Sequence, residues 1–133
     1  MSSPTRPTPL VVGVPTEVKP DEGRVAITPN GVRELHSHDV EVLVQAGAGA
    51  GASIPDAEYL ASGAEIVVSA SEVWERAGLV CKVKEPQESE YAYLRRDLVL
   101  FTYLHLAAYP GVAEALLSTG TTAVAYETVQ AAD

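Results

Sequence analysis

Short apolar runs alternate with amphipathic stretches along almost the whole chain. Leu10–Val14 is an apolar run closed by Pro15 and predicts a first strand. The polar segment "TEVKPDEGR" follows as a loop, and Thr28-Pro29 then supplies an N-cap with proline at the first helical position. Val32 and Leu35 give that helix its apolar spacing through about His36, and Val40–Gln45 predicts a second strand. Pro55 opens a short helical turn through Leu60, and Glu65–Val68 reads as a third strand. Ser69, with Glu72 three residues later, fits a capping box for a helix through Arg76. Leu79–Val83 is the fourth strand, "QESEYAYLRR" a surface helix, and Leu98–Tyr103 the fifth strand. Pro110–Ser118 predicts another helix and Thr122–Ala125 a sixth strand.

This rhythm predicts an α/β fold, a mostly parallel sheet with helices on both faces. The 133 residues are the size of one domain. Aromatic residues make up only 6% against 47% apolar overall, so the core must be built from Val, Leu, Ile and Ala, as suits buried parallel strands. Residues 1–9, with three prolines and no apolar stretch, are expected to be a disordered lead and not a signal peptide. The sequence stops just after a strand, an ending expected of an incomplete doubly wound domain.

The charge balance narrows the partners. Eighteen acidic against nine basic residues give a net charge of −9, which repels a phosphate backbone and argues against nucleic acid. No apolar run approaches the roughly 20 residues needed to span a bilayer. The lone Cys81 cannot form an internal disulfide, which points to a reducing, cytoplasmic setting.

In open parallel sheets, ligands bind beyond the carboxyl ends of the strands. Three such ends carry chemistry. The first strand leads to Glu17, Lys19, Glu22 and Arg24, the fourth to Lys82, Lys84 and Glu85, and the fifth to Tyr103 and His105. Lys82 and Lys84, two apart, share a face if the strand continues that far. Alternatively their stems lie over apolar surface while the ammonium groups reach water. The pattern favours this second arrangement for Lys82 and leaves the two level for Lys84. Arg24 can grip a carboxylate through two parallel hydrogen bonds, or simply pair with Asp21 or Glu22 at the surface. His105 sits among apolar neighbours in "LFTYLHLAAYP" and can exchange a proton near neutral pH, or be merely hydrogen-bonded in place. His36 and His38 close a helix with no third ligand nearby, so no metal site is expected. "GAGAGA", Gly47–Ala52, follows a strand but lacks the G-x-G-x-x-G spacing and meets Pro55 before any helix, so it predicts a flexible turn and not a dinucleotide loop.

Five blocks, "VGVPTEVKPDEGRVAITPNGVREL", "VLVQAGAGAGASIPDAEY", "VCKVKEP", "LFTYLHLA" and "GTTAVAYETVQ", together closely resemble the N-terminal part of alanine dehydrogenases, from about Val11 to the last residue. The pairing of "KVKEP" with "TYLHLA" is the specific element. The related transhydrogenase alpha subunits look similar around "RVAITP" and the glycine turn.

The resemblance implies a Rossmann/flavodoxin-like substrate domain over residues 10–133, incomplete without later strands and without the separate domain that binds NAD. It implies reversible NAD-dependent oxidative deamination of L-alanine to pyruvate and ammonium. Carried onto this sequence, Arg24 grips the substrate carboxylate, Lys84 binds and polarises the substrate, His105 exchanges protons and Tyr103 lines the pocket. No cofactor-binding residue and no metal ligand is expected in this chain. The parent enzyme is expected to be a homo-oligomer, commonly a hexamer, and this polypeptide alone is expected to be inactive. Two other readings stay open: a transhydrogenase-like segment, and a non-enzymatic module that binds a carboxylate or a partner.

Overall fold

A computed structural model describes residues 10–128. The predicted disordered lead, 1–9, lies outside the described residues. Six strands form one sheet: β1 (Val11–Val14), β2 (Glu41–Gln45), β3 (Glu65–Val67), β4 (Leu79–Cys81), β5 (Val99–Thr102) and β6 (Thr122–Ala125). Every pairing is parallel and the spatial order is β3-β2-β1-β4-β5-β6. The order reverses between β1 and β4, so the loops leaving those two strands flank the switch point where doubly wound sheets bind ligands.

Among the described residues four α-helices connect these strands: α1 (Pro29–Ser37), α2 (Asp56–Ala61), α3 (Ala70–Arg76) and α4 (Pro110–Thr119). Thr28 caps α1 by accepting from the Gly31 N–H, with Pro29 opening the helix as its sequence predicts. Ser69 caps α3 by accepting from the Glu72 N–H. The reciprocal capping box falls elsewhere, on Gln87 and Glu90. Those residues open the predicted helix, which is a 3-10 helix, Glu88–Tyr93, with Glu90 buried.

Residue parity divides the core between the two faces. Val14, Val42 and Val44 pack with Val32 of α1 and Tyr59 of α2 on one face. Val80 and Leu100 pack with Trp74 of α3 and with Val112, Ala115 and Leu116 of α4 on the other. Gly13 points at α3, where a Cβ would stand 2.8 Å from the Ala77 Cβ and from Val73 Cγ1, so only glycine lets α3 settle on β1. On the first face α1 and α2 cover only the β1–β3 half. Over β4 and β5 the outward side chains Cys81 and Phe101 form the wall of an open cleft.

The Gly47–Ala52 segment is a turn, as its sequence predicts. It forms a short 3-10 turn, Ala50–Ala52, pressed against the loop that follows β1. A Cβ on Gly51 would lie 2.6 Å from the Gly23 carbonyl oxygen, and one on Gly49 2.6 Å from that of Ile54. The glycines serve close backbone approach, which their alternation alone does not distinguish from mobility. Among the described residues no helix is long and apolar enough to cross a membrane, and no group of three or more His, Cys, Asp or Glu side chains is placed to hold a metal ion.

Candidate functional site

The cleft on the β4–β5 half has a volume of about 870 Å³. Arg24 and Tyr103 line it, together with Val83, Phe101 and Tyr126. Phe101 meets Tyr126 edge-on at 4.2 Å between ring centres, and Tyr126 meets Tyr103 similarly at 4.8 Å. One cation therefore stands against an aromatic and aliphatic wall.

Arg24 is exposed and is held by Glu22, as the surface-pair reading allows. Nε donates to Oε2 at 3.0 Å and Nη2 to Oε1 at 2.9 Å. Arg24 holds the Glu22 carboxyl down at about 2, mainly through this hydrogen bond, with a smaller contribution from the charge of Lys84. Lys84 thus joins the group through Glu22, although it is not among the residues lining the cleft.

His105 stacks on Tyr103, with ring centres 6.1 Å apart and planes 13° apart. It lines a smaller cavity of about 370 Å³ next to the cleft, together with Leu104 and Glu127. Its backbone is in the left-handed region, at φ 48°, a conformation that non-glycine residues adopt rarely and often at functional positions. Glu127 fastens this turn: Oε1 accepts the Leu104 N–H at 2.8 Å and Oε2 lies 3.7 Å from His105 Nδ1. The structure therefore links Arg24, Tyr103 and His105 in one continuous row and sets Lys84 beside the Glu22 end of it.

Lys82 overturns the expectation of a lysine whose ammonium reaches water. It is fully buried, 3.3 Å from Glu17 Oε1 and 2.9 Å from Glu90 Oε1. Strand β4 ends at Cys81, so strand alternation does not extend to Lys82 and Lys84. The pairing with β5 carries on through single hydrogen bonds, Lys82 N–H to the Phe101 carbonyl at 3.0 Å and Tyr103 N–H to the Val83 carbonyl at 3.4 Å. Neither acidic partner of Lys82 was marked by its local sequence: Glu17 looked like one more loop carboxylate and Glu90 like part of a surface helix. Glu127 likewise had no local signal.

A second pair lies nearby. Lys19 Nζ contacts Glu85 Oε1 at 2.6 Å and stands 4.8 Å from the centre of the Tyr109 ring. Burial opposes the charge on Glu85, but Lys19 and neighbouring hydrogen bonds more than offset it and the carboxyl stays below its ordinary range.

Sheet order, cleft and charge pattern define a doubly wound α/β domain with a cationic, aromatic-walled cleft at its switch point. The chain belongs to the alanine dehydrogenase/PNT N-terminal domain family, whose profile matches residues 13–133. It is 56% identical over 124 residues to the alanine dehydrogenase of Mycolicibacterium smegmatis, covering 93% of this chain and 33% of that protein. It is 52% identical over 120 residues to that of Bacillus subtilis, covering 90% and 32%. A solved L-alanine dehydrogenase superposes with a TM-score of 0.88 at 44% identity, over 92% of this chain and 34% of the other. The transhydrogenase from Sinorhizobium meliloti superposes with a TM-score of 0.83 at 30% identity, over 92% and 36%. The chain spans about a third of the length of the curated relatives it matches.

Proposed function

We propose that this chain supplies the substrate-binding side of an L-alanine dehydrogenase, which interconverts L-alanine with pyruvate and ammonium using NAD. The observation that carries the reading is the row Arg24, Tyr103 and His105, with Lys84 beside it, at the carboxyl ends of the strands around the switch point. The relatives at 50% identity and above that bear the name alanine dehydrogenase support it.

The described residues do not fit a dinucleotide. β1 is followed by a loop bearing Glu17 and Glu22, where a dinucleotide fold places a glycine turn running into a helix. Gly47–Ala52 leads to a 3-10 turn and then Pro55. The chemistry assigned to this chain is therefore confined to the substrate, and NAD is held by a separate domain of the parent enzyme, a cytoplasmic homo-oligomer.

Arg24 fixes the substrate carboxylate through the guanidinium edge that Glu22 does not occupy. Lys84 places a compact positive charge near the carbonyl oxygen or the nitrogen, favouring attack at the adjoining carbon. His105 exchanges the protons that must leave or join as nitrogen and water trade places on that carbon. Tyr103 closes the apolar side around the methyl group. Orientation by the two cations is the larger part of the effect, since it converts an encounter into a held geometry.

Amide-detected NMR of the labelled chain during titration with pyruvate tests the reading. Localised shifts at Arg24, Lys84, Tyr103 and His105, lost in Arg24→Met, are the expected result. A dispersed spectrum indifferent to pyruvate overturns it.

A further inference from the structure

Lys84 is held at its backbone. Its N–H donates to Glu17 Oε1 at 3.1 Å, while the Val83 N–H donates to Glu17 Oε2 at 3.0 Å. Its carbonyl accepts from Thr102 Oγ1 at 2.8 Å and from Lys82 Nζ at 3.2 Å. The three side chains that make these bonds are buried, Lys82 and Thr102 completely. They come from three places: the loop after β1, the segment after β4, and the end of β5. Glu90 Oε1 also meets the Lys82 ammonium, at 2.9 Å, and accepts the Gln87 N–H at 3.0 Å. None of Glu17, Lys82, Thr102 and Glu90 lines the cleft.

A buried ammonium with two carboxylates is a poor source of stability, because desolvation consumes most of what pairing returns. Its effect here is geometric. One carboxylate straddles two successive N–H groups, and two donors converge on the next carbonyl. Rotating either peptide at Lys84 would therefore break several buried hydrogen bonds at once. The Lys84 side chain has four rotatable bonds, and its ammonium donates no hydrogen bond to any of the described residues. The position of its Cα is what the fold can control.

We infer that Glu17, Lys82 and Thr102 form a clamp that positions Lys84 for the substrate without touching it. The inference rests on the reading that Lys84 meets the bound carboxylic acid. It makes Glu17, a loop residue ahead of Arg24, a positioning residue that ties the two sides of the switch point together.

A double-mutant cycle on pyruvate affinity, read by NMR titration of the full chain, tests it. Glu17→Gln keeps the volume but turns an amide NH₂ toward a backbone N–H, and it is expected to weaken pyruvate binding about tenfold. Lys84→Met is expected to weaken it at least as much. The double variant is expected to match Lys84→Met alone, since a clamp has nothing left to position. A merely structural role for Glu17 gives additive losses, and that result overturns the inference, as does unchanged affinity in Glu17→Gln. If Glu17→Gln loses amide dispersion, the shape-conserving Thr102→Val enters the same cycle, with about a threefold loss expected, again absent beside Lys84→Met. Absence of pyruvate binding by the unmodified chain, or normal affinity in Lys84→Met, overturns the reading of the site and the clamp with it. Those failures are separable from failure of the clamp alone, because they appear without any change at Glu17.

Discussion

Arg24 and Glu22 meet as two parallel forks, and the carboxylate is the fixed half. The Glu22 side chain is 7% exposed and that of Arg24 65%, and the Arg24 backbone N–H also donates to Glu22 at 2.9 Å. Glu22 occupies one edge of a guanidinium that has five N–H donors and turns the remaining ones outward. The surface pair is thus compatible with the proposed grip of Arg24 on a carboxylate, since Glu22 fixes the guanidinium while leaving it largely exposed.

The same pair predicts an acid-sensitive element. Glu22 titrates at about 2 in the folded chain, below its ordinary value of 4.5. On acidification the unfolded chain therefore takes up this proton first. The contribution to stability is whole above about 4.5 and is lost as the pH falls toward 2. The Tm followed by circular dichroism should decline across that window, and Glu22→Gln should flatten part of the decline. Glu65, held down by its hydrogen bond to Arg76, keeps a residual slope. An unaltered profile in Glu22→Gln would remove the pair from the account.

The buried cluster predicts an asymmetry between its members. Lys82→Met strands two carboxylates in the interior and is expected to cost ~3–5 kcal/mol in urea denaturation. Glu90→Gln should cost no more than about 1 kcal/mol. Burial pushes the Glu90 carboxyl above its ordinary range, against the pull of Lys82, so a neutral replacement removes a desolvation cost along with the pairing. Glutamine also keeps an oxygen for Lys82 Nζ and for the Gln87 N–H. Equal losses in the two variants would contradict this division of charge.

Strand positions were legible because each is a local property. Val42, Leu43 and Val44 are apolar in succession and are buried on both faces of the sheet. The ends of the strands carried the candidate site for the same reason, since a parallel sheet brings all its carboxyl ends to one edge. Lys82 was illegible locally. A lysine between Cys81 and Val83 has the same neighbours whether it reaches water or two buried carboxylates, and the choice is made by Glu17 and Glu90 arriving from other parts of the chain. The helix at Glu88–Tyr93 was legible, but not that Glu90 turns inward to Lys82, against the role its charge suggests on a surface helix. The Gly47–Ala52 turn was legible as a turn, but nothing in six alternating small residues announces the Gly23 backbone against which Gly51 packs.

That contact gives a prediction for a position outside the charged group. Gly51→Ala puts a Cβ 2.6 Å from the Gly23 oxygen and 2.7 Å from its Cα, both backbone atoms that cannot swing aside. The loop after β1 must shift, at a cost of ~1–3 kcal/mol, and Arg24 is the next residue along. The expected result is a lowered Tm together with amide shifts concentrated at Glu22, Gly23 and Arg24. A variant as stable as the parent, with shifts confined to its own turn, would mean that the two loops are not in contact.

Cys81 tests whether the cleft wall is formed at all. Its side chain points to the cleft face of β4, yet the residue is only 7% exposed, and burial pushes the thiol up to about 12. Alkylation proceeds through the thiolate. At pH 8 an unfolded chain with an ordinary thiol presents about a thousand times more thiolate than the folded one. Iodoacetamide labelling followed by mass spectrometry should therefore be slow in buffer and fast in urea, by roughly that factor. Pyruvate should change the slow rate little, because under the proposed function its carboxylate is held at Arg24 and the barrier to reaction is the charge state of the sulfur. Fast labelling in buffer would mean that β4 is open to solvent, and the row Arg24, Tyr103 and His105 would then lack the wall it is built on.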